Sequence, residues 1–277
     1  MTLEESRAWC AEVMRAHAKS FYFSTRILPR AKRYAVEALY GLFRTADDLA
    51  DEPGIEREER LSGLSAILEL VDAAHEGRNG DAPWFPAVSD AFARFPIERA
   101  DVVRLIEACR DDVSPRDIAT MRDLYEYSAC VAGTVGRASM AILGAADADS
   151  LERGERLGVA MQYTNVLRDV EEDRLLGRNY LPLREFAGAS VPDVMREIAR
   201  RARIYYKEAQ ILAGRVPNDG SRAALLMTSD IYQAILDPLE RRGFDPAQGR
   251  AFVPGREKVR RALTCLVRSY VGFATIK

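Results

Sequence analysis

Apolar residues recur at steps of three and four along almost the whole sequence, and runs with strict apolar–polar alternation are missing. Steps of three and four place apolar side chains on one face of an α-helix. The sequence therefore predicts an all-α fold. The predicted helices cover residues 3–18, 31–51, 57–74, 86–93, 98–112, 120–143, 149–175, 192–214, 219–241 and 256–272.

Length and composition restrict the class of protein. With 277 residues, 48% of them hydrophobic, the chain can bury a large core, and no break between helices is long enough to link two domains, so we expect one domain over residues 1–277. A net charge of −2 lacks the basic excess of a nucleic-acid-binding protein. Four cysteines without Cys-x-x-Cys spacing indicate neither zinc nor disulfides, which favours reduced thiols and a cytoplasmic protein.

Two aspartate-rich segments carry the chemical signal. The first aspartate motif is Arg44-Thr-Ala-Asp-Asp-Leu-Ala-Asp51, and the second is Asn165-Val-Leu-Arg-Asp-Val-Glu-Glu-Asp173. The outer aspartates of each motif, Asp47 with Asp51 and Asp169 with Asp173, are four residues apart. On an α-helix this spacing gives about 40° of rotation and about 6 Å of rise, so both carboxylates leave the same face.

Each carboxylate pair is suited to a hard divalent cation. Mg²⁺ binds a few carboxylate oxygens, keeps several waters and completes its shell with substrate phosphates, so two facing pairs predict a diphosphate site. Mn²⁺ is an alternative cation, and the neighbouring arginines would hold the same phosphates. The two pairs, Asp47 with Asp51 and Asp169 with Asp173, are therefore candidate metal ligands.

Two further segments leave alternatives open. Residues 127–136 place small side chains in a helical stretch, which indicates either close helix packing or a cavity wall with room for a hydrocarbon, where Tyr127 offers a hydroxyl or a π face. Residues 17–23 combine Lys19 and Ser20 with three aromatic residues, either as a helix end with core aromatics or as part of the site. Two histidines are too few for a histidine metal site or a Ser-His-Asp triad.

Six segments, at residues 17–22, 38–40, 44–51, 131–136, 162–173 and 177–182, occur in one order along the chain. They include His-Ala-Lys-Ser-Phe-Tyr at the start and Gly177-Arg-Asn-Tyr-Leu-Pro182 at the end. This ordered set resembles the squalene and phytoene synthase family, the head-to-head branch of the trans-isoprenyl diphosphate synthases. The resemblance implies an isoprenoid-synthase-type helical bundle around a central catalytic cavity.

The resemblance also implies roles for individual residues. Mg²⁺ ions would bridge the two motifs to the diphosphates of two prenyl substrates. The implied metal ligands are Asp47, Asp48, Asp51, Asn165, Asp169, Glu172 and Asp173. The implied catalytic residues are Arg44, Asp47, Asp51, Tyr127, Asp169 and Asp173. The implied substrate-binding residues are Lys19, Ser20, Arg44, Gln162, Asn165, Arg168 and Arg178.

The expected activity is head-to-head condensation of two geranylgeranyl diphosphates to phytoene, through a cyclopropylcarbinyl diphosphate and without NADPH. The alternative is a farnesyl diphosphate-using dehydrosqualene, squalene or presqualene diphosphate synthase. A head-to-tail elongase would repeat Asp-Asp-x-x-Asp, which the second motif does not, and a non-catalytic scaffold would be expected to have lost motif residues that are present here. We expect peripheral membrane contact for product release, and the sequence leaves the oligomeric state open.

Overall fold

A computed structural model of the protein describes residues 1–52, 54–114 and 118–271, with the side chains of Ser20 and Val271 outside the described part. Throughout these ranges the chain forms helices and no β-strand, which confirms the predicted all-α class. No helix in these ranges is long and apolar enough to cross a membrane. The expectation of a single domain stays a prediction.

The helices of the described residues run as follows. In chain order they are α1 Leu3–His17, α2 Lys19–Thr25, α3 Arg30–Asp51, α4 Arg57–His75, α5 Phe85–Arg94, α6 Arg99–Asp112, α7 Met121–Ser128, α8 Thr134–Leu143, α9 Ala148–Leu175, α10 Val191–Tyr206, α11 Glu208–Ala213, α12 Ser221–Gln233, α13 Leu236–Arg241 and α14 Gly255–Val271. A π-helical segment, Ala129–Gly133, joins α7 to α8, and a 3₁₀ turn, Pro246–Gln248, precedes α14.

Three of the predicted helices divide in the structure, one of them, 120–143, at the π-helical segment Ala129–Gly133. The predicted helix 219–241 is two helices, because Pro238 lacks the N–H that would bond to the Ala234 carbonyl. The predicted helix 192–214 divides at Lys207. There the Lys207 N–H donates to the Ile204 carbonyl at 3.2 Å, a hydrogen bond across three residues as in a 3₁₀ turn. The chain after α1 begins a new helix, α2, that was not predicted. Residue 272, the predicted end of the last helix, lies outside the described residues.

The turn between α8 and α9 follows from local chemistry. Gly144 has φ of 99°, in the left-handed region where glycine carries no Cβ penalty, and it ends α8. The Asp147 carboxylate then accepts a hydrogen bond from the Ser150 N–H at 3.0 Å and caps α9. This turn sets the start of the 28-residue helix that carries the second aspartate motif.

Glycines allow the π segment and α8 to pack directly on the backbone of α9. A Cβ at Gly158 of α9 would lie 2.1 Å from the Ala132 carbonyl oxygen, and a Cβ at Gly136 would lie 2.0 Å from that of Gly154. Real Cβ atoms do not approach backbone this closely, so only glycine fits at these two positions. The predicted close helix packing of residues 127–136 is thereby confirmed.

The buried apolar residues form two clusters. One is built by α7 to α14, and the other by α1, α3 to α6 and α8, while Val36 of α3 packs against both. A cavity lies between them, because its lining takes Leu157 from the first cluster and Phe43 from the second. All four cysteines are free, as their spacing predicted.

Replacing Gly158 by alanine tests the helix contact. We expect Gly158→Ala to lower the free energy of unfolding by about 1–3 kcal/mol, because the new methyl group forces the two backbones apart. Urea unfolding followed by circular dichroism measures this change. Gly255→Ala is the matched control, since a Cβ there meets nothing within 4 Å, and a Gly158→Ala protein as stable as this control would contradict the packing argument.

A carboxyl group is buried inside α3. Glu37 is 2% exposed, and the nearest cationic partner, Arg33, lies 3.8 Å away. Burial raises the pKa of Glu37 from 4.5 to about 7, although Arg33 and Arg26 act in the opposite direction. Between these two pH values the folded protein therefore keeps a proton that the unfolded chain releases, and stability falls as the pH rises through this interval.

The variant Glu37→Gln removes this titration while keeping the side-chain volume. We expect it to be more stable than the parent protein by about 1–3 kcal/mol at about pH 8, with the difference disappearing towards pH 4.5. Urea unfolding at a series of pH values measures the difference. A constant difference across the series would show that Glu37 does not titrate in this interval.

Candidate active site

The central cavity has a volume of about 750 Å³ and is open at one side. Its walls come from α1, α2, α3, α6, the α7–α8 stretch, α9 and α12. Most of the wall is apolar, as is common for sites that bind small molecules. The apolar lining includes Leu28, Val36, Leu39, Phe43, Leu105, Val131, Val135, Ile142, Leu157, Ala224 and Leu225.

The first aspartate motif ends α3 at this cavity. Arg44 and Asp47 line the cavity, and the Arg44 Nη1 donates to the Asp47 Oδ2 at 3.0 Å, while Nη2 donates to Asp48. Asp47 is surrounded by protein yet reached by solvent through the cavity. Burial raises the pKa of Asp47 and the charges of Asp51 and Asp48 add to this effect, while Arg44 opposes it.

The second aspartate motif lies in the last turns of α9. Arg168 donates two hydrogen bonds to Asp169, at 2.8 and 2.5 Å. Asp173 is half-buried, and burial followed by the negative charge of Asp169 raises its pKa to about 6. Val159, Tyr163 and Val166 on another face of α9 are buried in the core.

A long-range contact connects the first motif to the chain just after the second. Arg178, just after α9, donates from Nη1 to the Asp51 Oδ2 at 3.3 Å and from Nη2 to the Asp51 Oδ1, across 127 residues of sequence. The charge of Arg178 also lowers the pKa of both Asp47 and Asp173, although burial outweighs it in each case. The ends of α3 and α9 therefore meet at one mouth of the cavity.

The predicted site residues divide into two groups. Those that line the cavity are Lys19, Arg44, Asp47, Tyr127, Gln162, Asn165 and Arg168. Those that lie outside the lining, on the neighbouring turns of α3 and α9 or just after them, are Asp48, Asp51, Asp169, Glu172, Asp173 and Arg178. Ser20 belongs to α2, and its side chain lies outside the described residues.

Two unpaired polar atoms in the cavity bear on whether these residues suit a metal and a diphosphate. The Asn165 Oδ1 and the Arg44 Nε are buried without a hydrogen-bond partner. The first is an acceptor suited to a cation, and the second is a donor suited to a phosphate oxygen. Burial, and then the negative charges of neighbouring carboxylates, raise the pKa values of Asp47 and Asp173, and these crowded charges also favour the binding of a cation.

The carboxylates do not form a closed metal cage. Among the described residues, no three Asp, Glu, His or Cys side chains are grouped closely enough to hold a metal ion by themselves. Instead, arginines separate the acids: Arg44 at Asp47, Arg168 at Asp169 and Arg178 at Asp51. This arrangement suits Mg²⁺, which takes only one or two carboxylates and completes its shell with water and substrate phosphates.

Tyr127 forms a buried aromatic wall of the cavity. It is 5% exposed and stacks on Tyr180 with ring centroids 5.0 Å apart and planes 14° apart. Burial, then the charge of Asp112, raises the pKa of Tyr127 well above its ordinary value, so its phenol stays protonated at neutral pH. Val131, Ala132 and Val135 continue this wall, so the small-residue segment both packs on α9 and lines the cavity.

Sequence analysis missed two charged residues of this cavity. Asp112, at the end of α6, lines the cavity and interacts with Tyr127, and Arg250 lines it near α9. The Arg250 Nε lies 3.1 Å from Asp169, and its Nη1 donates to Glu172 at 3.0 Å. Asp112 gave a weak signal as the second of two aspartates ending a predicted helix, whereas Arg250 stands in a loop without any periodic pattern.

Comparison with known proteins places this architecture in a family. The sequence model described as squalene/phytoene synthase matches residues 14–257. The chain belongs to the squalene/phytoene synthase family. It is therefore a prenyltransferase, as the resemblance implied.

Among similar sequences are two phytoene synthases. The chloroplastic phytoene synthase 3 of Zea mays is 33% identical over 282 residues, covering 95% of this chain and 66% of the maize protein. This chain therefore spans slightly less than two thirds of the maize protein's length. The 15-cis-phytoene synthase of Synechococcus elongatus is 30% identical over 298 residues, covering 98% of this chain and 95% of that protein.

Among similar solved structures are enzymes of the squalene branch. A ligand-bound dehydrosqualene synthase superposes with a TM-score of 0.85 at 28% identity, covering 97% of this chain and 98% of the other. A squalene synthase of Alicyclobacillus acidocaldarius superposes with a TM-score of 0.78 at 28% identity, covering 88% of this chain and 96% of that one. These likenesses confirm the predicted isoprenoid-synthase-type fold.

Neutralising one aspartate of each motif tests the site. We expect Asp47→Asn or Asp173→Asn to lower prenyltransferase turnover by about 100-fold or more, because each removes a charge that would hold a cation against the diphosphate. Turnover is measured as diphosphate release, with circular dichroism to verify the helical fold. Asp81→Asn is the control, since Asp81 is exposed in a loop away from the cavity. A fully active double variant would show that these two aspartates do not belong to the active site.

Proposed function

We propose that this protein condenses two geranylgeranyl diphosphates head to head to phytoene, in carotenoid biosynthesis. The observation that carries the proposal is the meeting of two aspartate motifs and their arginines at the mouth of one apolar cavity. The phytoene synthases of Zea mays and Synechococcus elongatus, at 33% and 30% identity, support the choice of substrate and product.

Basic side chains at the mouth would bind the diphosphates. Arg44 and Arg168 line the cavity beside the two motifs, and Lys19 lines it at the start of α2. A guanidinium can donate two parallel hydrogen bonds to a phosphate. Together with Arg178 and Arg250, these three cations would balance the negative charge of the two diphosphates. The existing contacts of the four arginines with aspartates would be exchanged for contacts with phosphate oxygens.

The residues that would hold Mg²⁺ are Asp47, Asp51, Asp169 and Asp173, with Asp48, Asn165 and Glu172 beside them. When bound, Mg²⁺ supplies positive charge that stabilises the departing diphosphate. The Gln162 Oε1 accepts a hydrogen bond from the Asn165 Nδ2–H at 3.1 Å. This bond orients the Asn165 amide, and the Asn165 Oδ1 has no hydrogen-bond partner and would be available to a cation.

The bond changes proceed in two ionisations. The allylic C–O bond of the first substrate breaks, and its electron pair leaves with the diphosphate. The double bond of the second substrate attacks the cation, and loss of a proton closes the cyclopropylcarbinyl diphosphate. The second diphosphate then leaves, the carbon skeleton rearranges, and loss of another proton gives phytoene.

The walls of the cavity would protect the cations. Apolar side chains exclude water that would otherwise capture a carbocation. Tyr127 stays a neutral phenol, so its ring presents an electron-rich face to a passing cation without supplying a negative charge that would trap it. Its stacking on Tyr180 holds the ring in place.

A second candidate is a farnesyl diphosphate-using enzyme that makes C30 products. It is favoured by the likeness to the dehydrosqualene synthase structure, with a TM-score of 0.85. The two candidates share the site and the first ionisation, and they differ in the length of the prenyl tails that the cavity receives.

Product analysis distinguishes the two candidates. Purified protein and Mg²⁺ are incubated with geranylgeranyl or farnesyl diphosphate, with and without NADPH, and products are identified by mass spectrometry. We expect phytoene from the longer substrate without NADPH, because nothing in the sequence indicates a nucleotide site. C30 products from farnesyl diphosphate alone would establish the second candidate. A product that forms only with NADPH would contradict the proposal, and no product from either substrate would favour the scaffold alternative.

A further inference from the structure

The last described helix, α14, leaves an apolar face exposed. Val259, Leu263, Val267 and Tyr270, which we name the α14 stripe, are 51%, 59%, 62% and 64% exposed. Their spacing of four, four and three residues places them on one face of the helix. Ala262, Cys265 and Ser269 on the opposite face are buried, and α14 packs against α12. Within the described residues, nothing covers the stripe.

Basic residues surround this stripe. The helix carries five basic residues against one acidic residue, a formal charge of +4 in a chain whose net charge is −2. Arg256 lies three residues before Val259 on the same face, whereas Arg268, one residue after Val267, lies about 100° round the helix from it. The acid, Glu257, accepts hydrogen bonds from Arg260 and Arg261 at 2.9 and 2.8 Å. Among the described residues, neither exposed arginine, Arg256 nor Arg268, forms a salt bridge.

The position of the stripe relates it to the cavity. α12 lies between α14 and the cavity, which it lines with Ala224, Leu225 and Thr228. The stripe is therefore one helix away from the apolar interior. A surface pocket of about 310 Å³ adjoins the first turn of α14 and is lined by Arg241, the exposed Phe252 and Arg256. Asp237 and Glu257, which pair with Arg261, also line this pocket.

We propose that the α14 stripe and its arginines form a docking surface for an anionic lipid bilayer. A helix with apolar residues on one exposed side and basic residues beside them lies in the plane of the membrane interface, with the apolar side chains among the acyl chains. Arg256 and Arg268 reach lipid phosphates, and Tyr270 suits the boundary between headgroups and hydrocarbon.

Charge favours lipid over a second copy of the chain. A twofold contact through the stripe would bring together the two copies of Arg256, an exposed arginine on the same face, since such an interface pairs the same patch of each subunit. Like charges facing each other across an interface weaken it. An anionic membrane presents the opposite charge over the whole length of the stripe.

Vesicle flotation of the purified full chain tests the proposal. The vesicles are phosphatidylcholine alone or mixed with phosphatidylglycerol, at low and high salt. We expect binding to the mixed vesicles, weakened by salt because the phosphate contacts are screened. Leu263→Asp with Val267→Asp, and separately Arg256→Gln with Arg268→Gln, each lower the partition constant by about tenfold or more.

A matched control uses apolar residues exposed elsewhere. Ile204 of α10 and Ile211 of α11 are 46% and 45% exposed, and Ile204→Asp with Ile211→Asp leaves the partition constant within about twofold of the parent value. Circular dichroism and thermal unfolding verify the fold of every variant. Should the aspartate pair fail to fold, Leu263→Ser with Val267→Ser replaces it, with the same expected direction.

Four results overturn the proposal. They are equal binding to both kinds of vesicle, no binding to either, parent-like binding by the stripe variants, and an equal loss in the control pair. Sedimentation velocity tests whether a second copy of this chain covers the stripe instead. A parent protein that is dimeric and does not bind vesicles, with stripe variants that are monomeric, would assign the stripe to a dimer interface.

Discussion

The charge balance at the mouth of the cavity is the constraint on which the site depends. The contact between Arg178 and Asp51 holds the ends of α3 and α9 together, although 127 residues of sequence separate its partners. The acids at this mouth are crowded and partly buried, which raises the pKa of both Asp47 and Asp173. Arginines supply the opposing charge here, and a metal-bound diphosphate would supply it during the proposed reaction. The arginines that balance these acids are therefore the ones that would exchange partners with substrate.

Close backbone packing gives this site its wall. Gly158 and Gly136 allow α9 to approach the π segment and α8 without side chains between them. The other side of that stretch is then free to line the cavity with Val131, Ala132 and Val135. A π-helical insertion redirects side chains relative to a regular α-helix and is frequent at functional sites. Here it lies between the buried Tyr127 and Gly136, which packs on α9. The aromatic wall and the close helix packing therefore occur within ten residues of sequence.

The proposed reaction and the proposed membrane surface fit one physical picture. A dry cavity would protect carbocations, and its product would be a hydrocarbon with no favourable place in water. The α14 stripe lies one helix away from that cavity and combines exposed apolar side chains with a local excess of positive charge. The two proposals nevertheless rest on different residues, since the stripe contributes nothing to the cavity lining.

The sequence by itself determined whatever depends on local geometry. A spacing of four puts Asp47 with Asp51, and Asp169 with Asp173, on shared helix faces wherever those helices lie, and the apolar periodicity determined the all-α class. It did not determine the break of the 192–214 helix at Lys207, which no glycine or proline marks. Only the tertiary structure decided that Arg178 meets Asp51 and that Asp112 and Arg250 join the cavity. These contacts depend on how distant helices pack, and a residue in a loop or at a helix end has no periodic neighbours to reveal its partner.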